Sequence, residues 1–233
     1  MLHIVHAPDD LCTAEALAGI VARLRDPEQG CPWDKVQTHQ SIRMNFLEEA
    51  YEAVDAIDLD DPHLMCEELG DVLMQVVFHA QIEAEAGRFD WQDVCKGVCR
   101  KLIGRHPHIF GPNDSTDGIN DWDALKNKEK GREDLQKDLE DVPRAMPALM
   151  RANKLQKRAF YHGCHLDADA EKISALAAQA VQAEPQGEKE RKVGELLFAA
   201  VCLARNCGVD PEQALQRCNE RFVQQSKACL RPE

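Results

Sequence analysis

The stretch LEEAYEAVDAIDLDDPHLMCEELGD, Leu47 to Asp71, holds ten carboxylates and no lysine or arginine. Its apolar residues (Leu47, Tyr51, Val54, then Leu64, Leu69, Val72, Leu73) recur three and four apart, the spacing of a helix that buries one face. Asp60-Asp61-Pro62 breaks the pattern, so the stretch reads as two helices joined by a short turn and folded antiparallel. The cation-free run is wider than the quotation: Met44 through Gly87 contains twelve Asp and Glu and not one Lys or Arg. A solvated helical face normally mixes signs. This one does not.

Residues three and four apart share a helix face. Glu48 and Glu52, Glu49 and Glu52, and Glu68 and Asp71 are so spaced, and the turn aims Glu49 and Glu52 at Glu68 and Asp71 across one groove. Carboxylates about 4 Å apart repel by roughly 4 kcal/mol at a moderate effective dielectric, a cost that a hard divalent cation removes. All-oxygen ligation suits Mg²⁺, with Mn²⁺ as a substitute. A di-iron carboxylate bundle would need Glu-x-x-His on two helices, and that pattern is absent.

The rest of the chain sets the frame. Its 233 residues bury a sizeable core in one domain or two small ones, and 30% charged with 5% aromatic residues suits helices. No alternating strand pattern stands out, so the expected fold class is all-α. A net charge of −13 argues against sequence-independent nucleic-acid binding. No run approaches the roughly 20 apolar residues of a membrane span. The first residues lack the basic start and apolar core of a signal peptide. With no C-x-x-C among ten cysteines, reduced and mostly buried thiols are expected, and a cytoplasmic location with them.

Organisation follows from an internal echo. ELGDVLMQVV (68–77) returns as KVGELLFAAV (192–201), and KLIGR (101–105) as RFVQQ (221–225). Two tandem four-helix-bundle repeats are therefore expected: residues 1–111 with the acidic site, and 144–233 in degenerate form. Between them, 112–143 is polar, charge-mixed and bounded by prolines, a linker with one exposed helix through Trp122 to Lys130.

Counter-charge lies downstream. Lys96, Arg100, Lys101 and Arg105 form a basic stripe, and a metal site beside such a stripe is the layout for a polyphosphate ligand. No G-x-x-x-x-G-K-[ST] loop is present. Trp33, stiffened by Pro32, is either a base-stacking side chain or a staple for its loop.

Together LRDPEQGCPWDKVQTHQSI, LEEAYEAVDAI, EELGDVLMQVVFHAQ and KLIGRHPHIFG resemble the MazG nucleoside triphosphate pyrophosphohydrolases. MPALMRANKLQKRA and LQRCNERF resemble that family's second repeat. The resemblance implies an all-α fold of tandem bundles that dimerises and, with Mg²⁺, cleaves nucleoside triphosphates to the monophosphate and pyrophosphate. The family motif E-E-x-x-E…E-x-x-D falls on Glu48, Glu49, Glu52, Glu68 and Asp71. Carried over, Glu49, Glu52, Glu68 and Asp71 are metal ligands, Lys101 and Arg105 contact phosphates, and Glu48 is the candidate base. The second repeat departs from the motif: AEKISALAAQAVQAE lacks the glutamates, and Lys192 and Glu195 stand in the Glu-x-x-Asp positions. It is expected to bind no catalytic metal. The competing expectation is a weak or inactive nucleotide-binding protein of regulatory or scaffold type.

Overall fold

The computed structural model describes residues 12–111 and 134–229, and the chain divides into two compact units, Met1–Asn120 and Asp121–Glu233. The described residues contain helices and no strand. In the first unit these are α1 (Ala14–Leu24), a 3₁₀ turn (Asp34–Val36), α2 (Arg43–Asp58), α3 (Pro62–Glu85), α4 (Trp91–Arg105) and the short α5 (Pro107–Phe110).

Local chemistry sets the boundaries. Asp60 takes a left-handed backbone conformation between α2 and α3, with φ 53°. Asp61 then caps α3: its carboxylate accepts from the amides of His63 and Leu64, with Pro62 in the first turn. At α4, Asp90 and Asp93 exchange backbone and side-chain hydrogen bonds in a capping box. The hairpin expected from Asp60-Asp61-Pro62 is thus built by the residues that signalled it.

Helix α3 is the hub, with α1, α2 and α4 packed against it. Val21, Ile42, Val77 and Phe78 form the buried core, flanked by Leu17, Met74, Ile82 and Trp91. The connection from α1 to α2 is a rigid loop. At Gly30 a Cβ would lie 2.4 Å from the carbonyl oxygens of Leu24 and Asp26, so only glycine fits. Asp26 accepts from the amides of Glu28 and Gln29. Arg25, only 6% exposed, donates twice to the Glu85 carboxylate and to the carbonyls of Asp34 and Gln37.

The second unit comprises α6 (Leu135–Glu140), α7 (Ala148–Tyr161), α8 (Ala170–Gln182), α9 (Gln186–Asn206) and α10 (Pro211–Cys229). Here α9 is the hub for α7, α8 and α10, over a core of Ala168, Ala199 and Cys202. Part of the stretch read as linker is folded: on α6, buried Asp138 pairs with Arg158 of α7, and Val142 just beyond is buried. A carboxylate with a distant arginine partner looks like surface in the sequence, which is why this helix escaped the pattern. The helix expected through Trp122 to Lys130 lies outside the described residues.

The two hairpins share one register. Residues 59–61 join α2 to α3, and residues 183–185 join α8 to α9. Counted from these connections, buried Ala56, Gln75, Val77 and Phe78 match buried Ala180, Ala199, Val201 and Cys202. The cysteine expectation needs correcting. Among the described cysteine side chains only Cys202 is buried, and Cys12, Cys66, Cys99, Cys164, Cys207 and Cys218 are exposed. Helices wrapped around one hub leave outward stripes where a periodic apolar residue is not a buried one. None of the described helices is long and apolar enough to cross a membrane.

Candidate metal centre

Across the α2–α3 hairpin, Gln75 Nε2 donates to Glu49 Oε1 at 3.3 Å, and the Phe46 and His79 rings meet edge to face at 5.9 Å. These two contacts fix the antiparallel register of the hairpin. The result is a cluster in which one oxygen each from Glu49, Glu68 and Asp71 lies within 4.8 Å of the others. All three are half-buried. The structure therefore assembles three of the four expected ligands. Glu52 is exposed one turn along and lies outside that cluster, yet its charge still acts on Glu49. Glu48 is exposed on the same helix.

Burial pushes the Glu49 carboxyl above its usual range, and Asp71, Glu52 and Glu48 push it further, while the bond from Gln75 pulls the other way. Burial, with Glu67, Asp71 and Glu49, likewise raises Glu68. A set of hard oxygen donors held together against mutual repulsion fits a divalent cation. The donor chemistry excludes a thiolate or imidazole site.

The other expected site residues lie on other elements of the unit. Lys101 is exposed and Arg105 half-buried in the last turns of α4. Trp33 is 57% exposed, on a loop clamped to Glu85 by Arg25 and to Glu83 by His39. At 1.5 Å per residue those anchors lie roughly 20 Å along α3 from Asp71.

Two features went unread in the sequence. One is Gln75. The other is a polar chain in which His39 Nδ1 lies 2.7 Å from His79 Nδ1 and His39 Nε2 lies 2.5 Å from Glu83, which Arg88 also holds. Asp71, Gln75, His79 and Glu83 recur every four residues along one side of α3, a signal visible in the sequence but masked by the apolar pattern around it.

This chain makes the unit pH-sensitive. Hydrogen bonds from Arg88 and then His39 hold Glu83 down to about 2 from 4.5. Burial, then His39, lowers His79. In both cases the unfolded chain binds more protons, so stability falls on acidification. His79's share is lost as pH drops below about 6.5, and Glu83's is lost between 4.5 and about 2. Glu49 and Glu68, shifted upward from 4.5, act with the opposite sign. Urea midpoints measured from pH 7.5 to 5 are expected to fall in the native protein. In His79→Leu, which copies Leu203 at the matching position, that slope should largely vanish.

In the second unit Lys192 Nζ lies 3.1 Å from Glu195 and 2.9 Å from Gln179 Oε1. By register Lys192 matches Glu68, Glu195 matches Asp71, and Ile173 and Leu176 match Glu49 and Glu52. By this register an ammonium stands where the first unit has the carboxylate of Glu68.

Comparison with known proteins gives this helical unit its family. The MazG nucleotide pyrophosphohydrolase domain profile matches residues 37–110, which span α2, α3, α4 and the carboxylate cluster. The nucleoside triphosphate pyrophosphohydrolase of Escherichia coli (strain K12) is 43% identical over 219 residues, 89% of this chain and 83% of that protein. The nucleoside triphosphate pyrophosphohydrolase/pyrophosphatase MazG of Thermotoga maritima is 40% identical over 216 residues, 91% and 84% of the two chains. The nucleoside triphosphate pyrophosphohydrolase of Mycobacterium tuberculosis is 34% identical over 181 residues, 76% and 54%. The chain belongs to the MazG nucleotide pyrophosphohydrolase family.

Proposed function

We propose that this protein hydrolyses nucleoside triphosphates to the monophosphate and pyrophosphate, with Mg²⁺ or Mn²⁺ held in the first unit. The observation that carries the reading is the cluster of Glu49, Glu68 and Asp71, set in a run without a single cation, in a chain whose relatives bear that activity in their names. Glu49, Glu52, Glu68 and Asp71 would hold the metal. When bound, it supplies positive charge at the phosphates and makes a bound water more acidic.

The chain's own residues supply the rest. Glu48, exposed beside the cluster, accepts a proton from the attacking water. The water oxygen bonds to the α-phosphorus as the bond from that phosphorus to the bridging oxygen breaks, and pyrophosphate leaves with the electron pair. Lys101 and Arg105 hold outer phosphate oxygens. Among the described tryptophans Trp33 is the exposed one, Trp91 packing on the core; base stacking by Trp33 would require its loop to approach the cluster, since the loop's anchors lie roughly 20 Å along α3 from Asp71.

The shared register of the two hairpins supports a tandem repeat whose second copy works as scaffold, its metal replaced by Lys192. A homodimer completes the reading. Tyr51 and Val54 of α2 and Leu69 of α3 are each about half exposed, stripes that a second copy would cover.

The test is pyrophosphate release from a panel of nucleoside triphosphates with Mg²⁺. Release is expected from the native protein and from Lys192→Ala, with a fall of roughly 100-fold or more in Glu52→Gln, since even outer-layer changes cost about 10–100-fold. No release with any triphosphate, alongside measurable nucleotide binding, would leave a binding protein instead.

A further inference from the structure

Gln75 is 5% exposed, and its carboxamide is directed across the hairpin to Glu49. A buried amide costs free energy unless it is hydrogen-bonded, so a glutamine at the hub of a helical unit calls for a reason. The second unit supplies an internal control. At the matching position it has Ala199, also buried, and its hub helix packs without a polar group there. Helix packing therefore does not demand one. Ile173 stands at the same time in the place of Glu49. The amide and its carboxylate partner are present together in one unit and absent together in the other.

We infer that Gln75 is a positioning residue for Glu49, holding one carboxylate oxygen across the hairpin so that the other is presented to the cation shared with Glu68 and Asp71. The inference rests on the metal-site reading of the first unit. Without the donor, Glu49 can rotate away from its neighbours, and ligation must first reassemble the cluster. Outer-layer partners of metal ligands typically contribute about 10–100-fold in affinity by this means. Gln75, buried and bonded to Glu49, acts through that carboxylate, so its effect should appear in metal affinity and be overcome by excess metal.

The experiment is Mn²⁺ binding to the full chain without nucleotide, followed by titration calorimetry and by the spectrum of free Mn²⁺, for native protein, Gln75→Met, Glu49→Gln and the double variant. Methionine keeps the side chain's length and removes the donor. Gln75→Met is expected to bind Mn²⁺ roughly tenfold more weakly, to melt no lower than native, and to recover its rate of pyrophosphate release at saturating Mn²⁺. The double variant should bind no worse than Glu49→Gln alone, because Gln75 acts through that carboxylate. Gln75→Ala, which copies Ala199, carries the same test should the methionine variant fold poorly. Native-like Mn²⁺ affinity in Gln75→Met, with loss in Glu49→Gln, overturns this inference and leaves the metal site standing. Additive losses in the double variant overturn it too, since they would mark a purely structural role. Absence of Mn²⁺ binding by the native protein overturns both.

Discussion

Glu68→Lys is expected to eliminate divalent-metal binding and pyrophosphate release while the first unit stays folded. The substitution writes into α3 the residue that α9 already carries at the matching position. There Lys192 lies against Glu195 and Gln179 in a helix that packs as the hub of its unit. In the first unit the new ammonium would lie beside Glu49 and Asp71, the two other members of the cluster. It removes one oxygen ligand and sets a fixed positive charge where the cation must enter, so ligation gives way to repulsion. The loss should exceed the roughly 10–100-fold seen for outer-layer changes, and a fall of about 1000-fold or more in Mn²⁺ affinity is expected. Folding should not suffer. The cluster raises Glu49 and Glu68 because burial and like charges disfavour their ionised forms, and a lysine relieves that repulsion. Calorimetric Mn²⁺ titration with a thermal melt of the metal-free protein checks both halves. A variant that keeps metal and turnover would show that the cation binds away from Glu49, Glu68 and Asp71. A variant that unfolds would show that the second unit tolerates Lys192 through contacts the first unit lacks.

The parts of this molecule that were legible in the sequence are those fixed by near neighbours along the chain. The periodic apolar residues of α2 and α3, the break at Asp60-Asp61-Pro62 and the carboxylates three and four apart specify a hairpin and one groove, and the groove contains Glu49, Glu68 and Asp71. What was not legible depends on partners far away in sequence. Gln75 gains its meaning only from Glu49 on the other helix, and Glu83 joins the histidine pair only through His39, 44 residues earlier. Polar side chains on a hub helix read as gaps in the apolar pattern, not as members of a buried network. Asp138 is the same case in the second unit, a carboxylate 2% exposed in a stretch whose composition reads as linker. The cysteines fail in the opposite direction. Residues such as Cys66 and Cys99 lie on helices with strong periodicity, yet each is exposed, because three neighbours leave part of the hub α3 uncovered at Cys66 and α4 packs against the hub on one side only.

Arg25→Met should destabilise the first unit by about 3 kcal/mol and release the loop from Trp33 to Gln37, leaving metal binding intact. The arginine is 6% exposed and makes four hydrogen bonds, two to the Glu85 carboxylate and one each to the carbonyls of Asp34 and Gln37. Methionine keeps most of the stem that packs on Phe78, although the guanidinium's contact over that ring, 5.1 Å from its centre, is lost. The ion pair is the smaller component. The Glu85 side chain is 38% exposed, so water takes over much of its solvation and the surviving penalty is about 1 kcal/mol or less. The two carbonyls have no such recourse while the loop holds its shape, and each unsatisfied group costs about 1–3 kcal/mol. Relief comes when the loop lifts away, which converts part of that penalty into mobility. Urea unfolding of Arg25→Met beside Glu85→Gln separates the contributions. Glu85→Gln is expected to lose less than about 1 kcal/mol and to keep the loop resistant to proteolysis, while Arg25→Met loses the larger amount and is cleaved between Trp33 and Gln37. Equal losses in the two variants would mean that the ion pair, not the carbonyl clamp, holds the loop. Mn²⁺ affinity should stay within about twofold of native in both, because the clamp sits roughly 20 Å along α3 from Asp71 and sites that far apart, sharing no partner, act nearly independently.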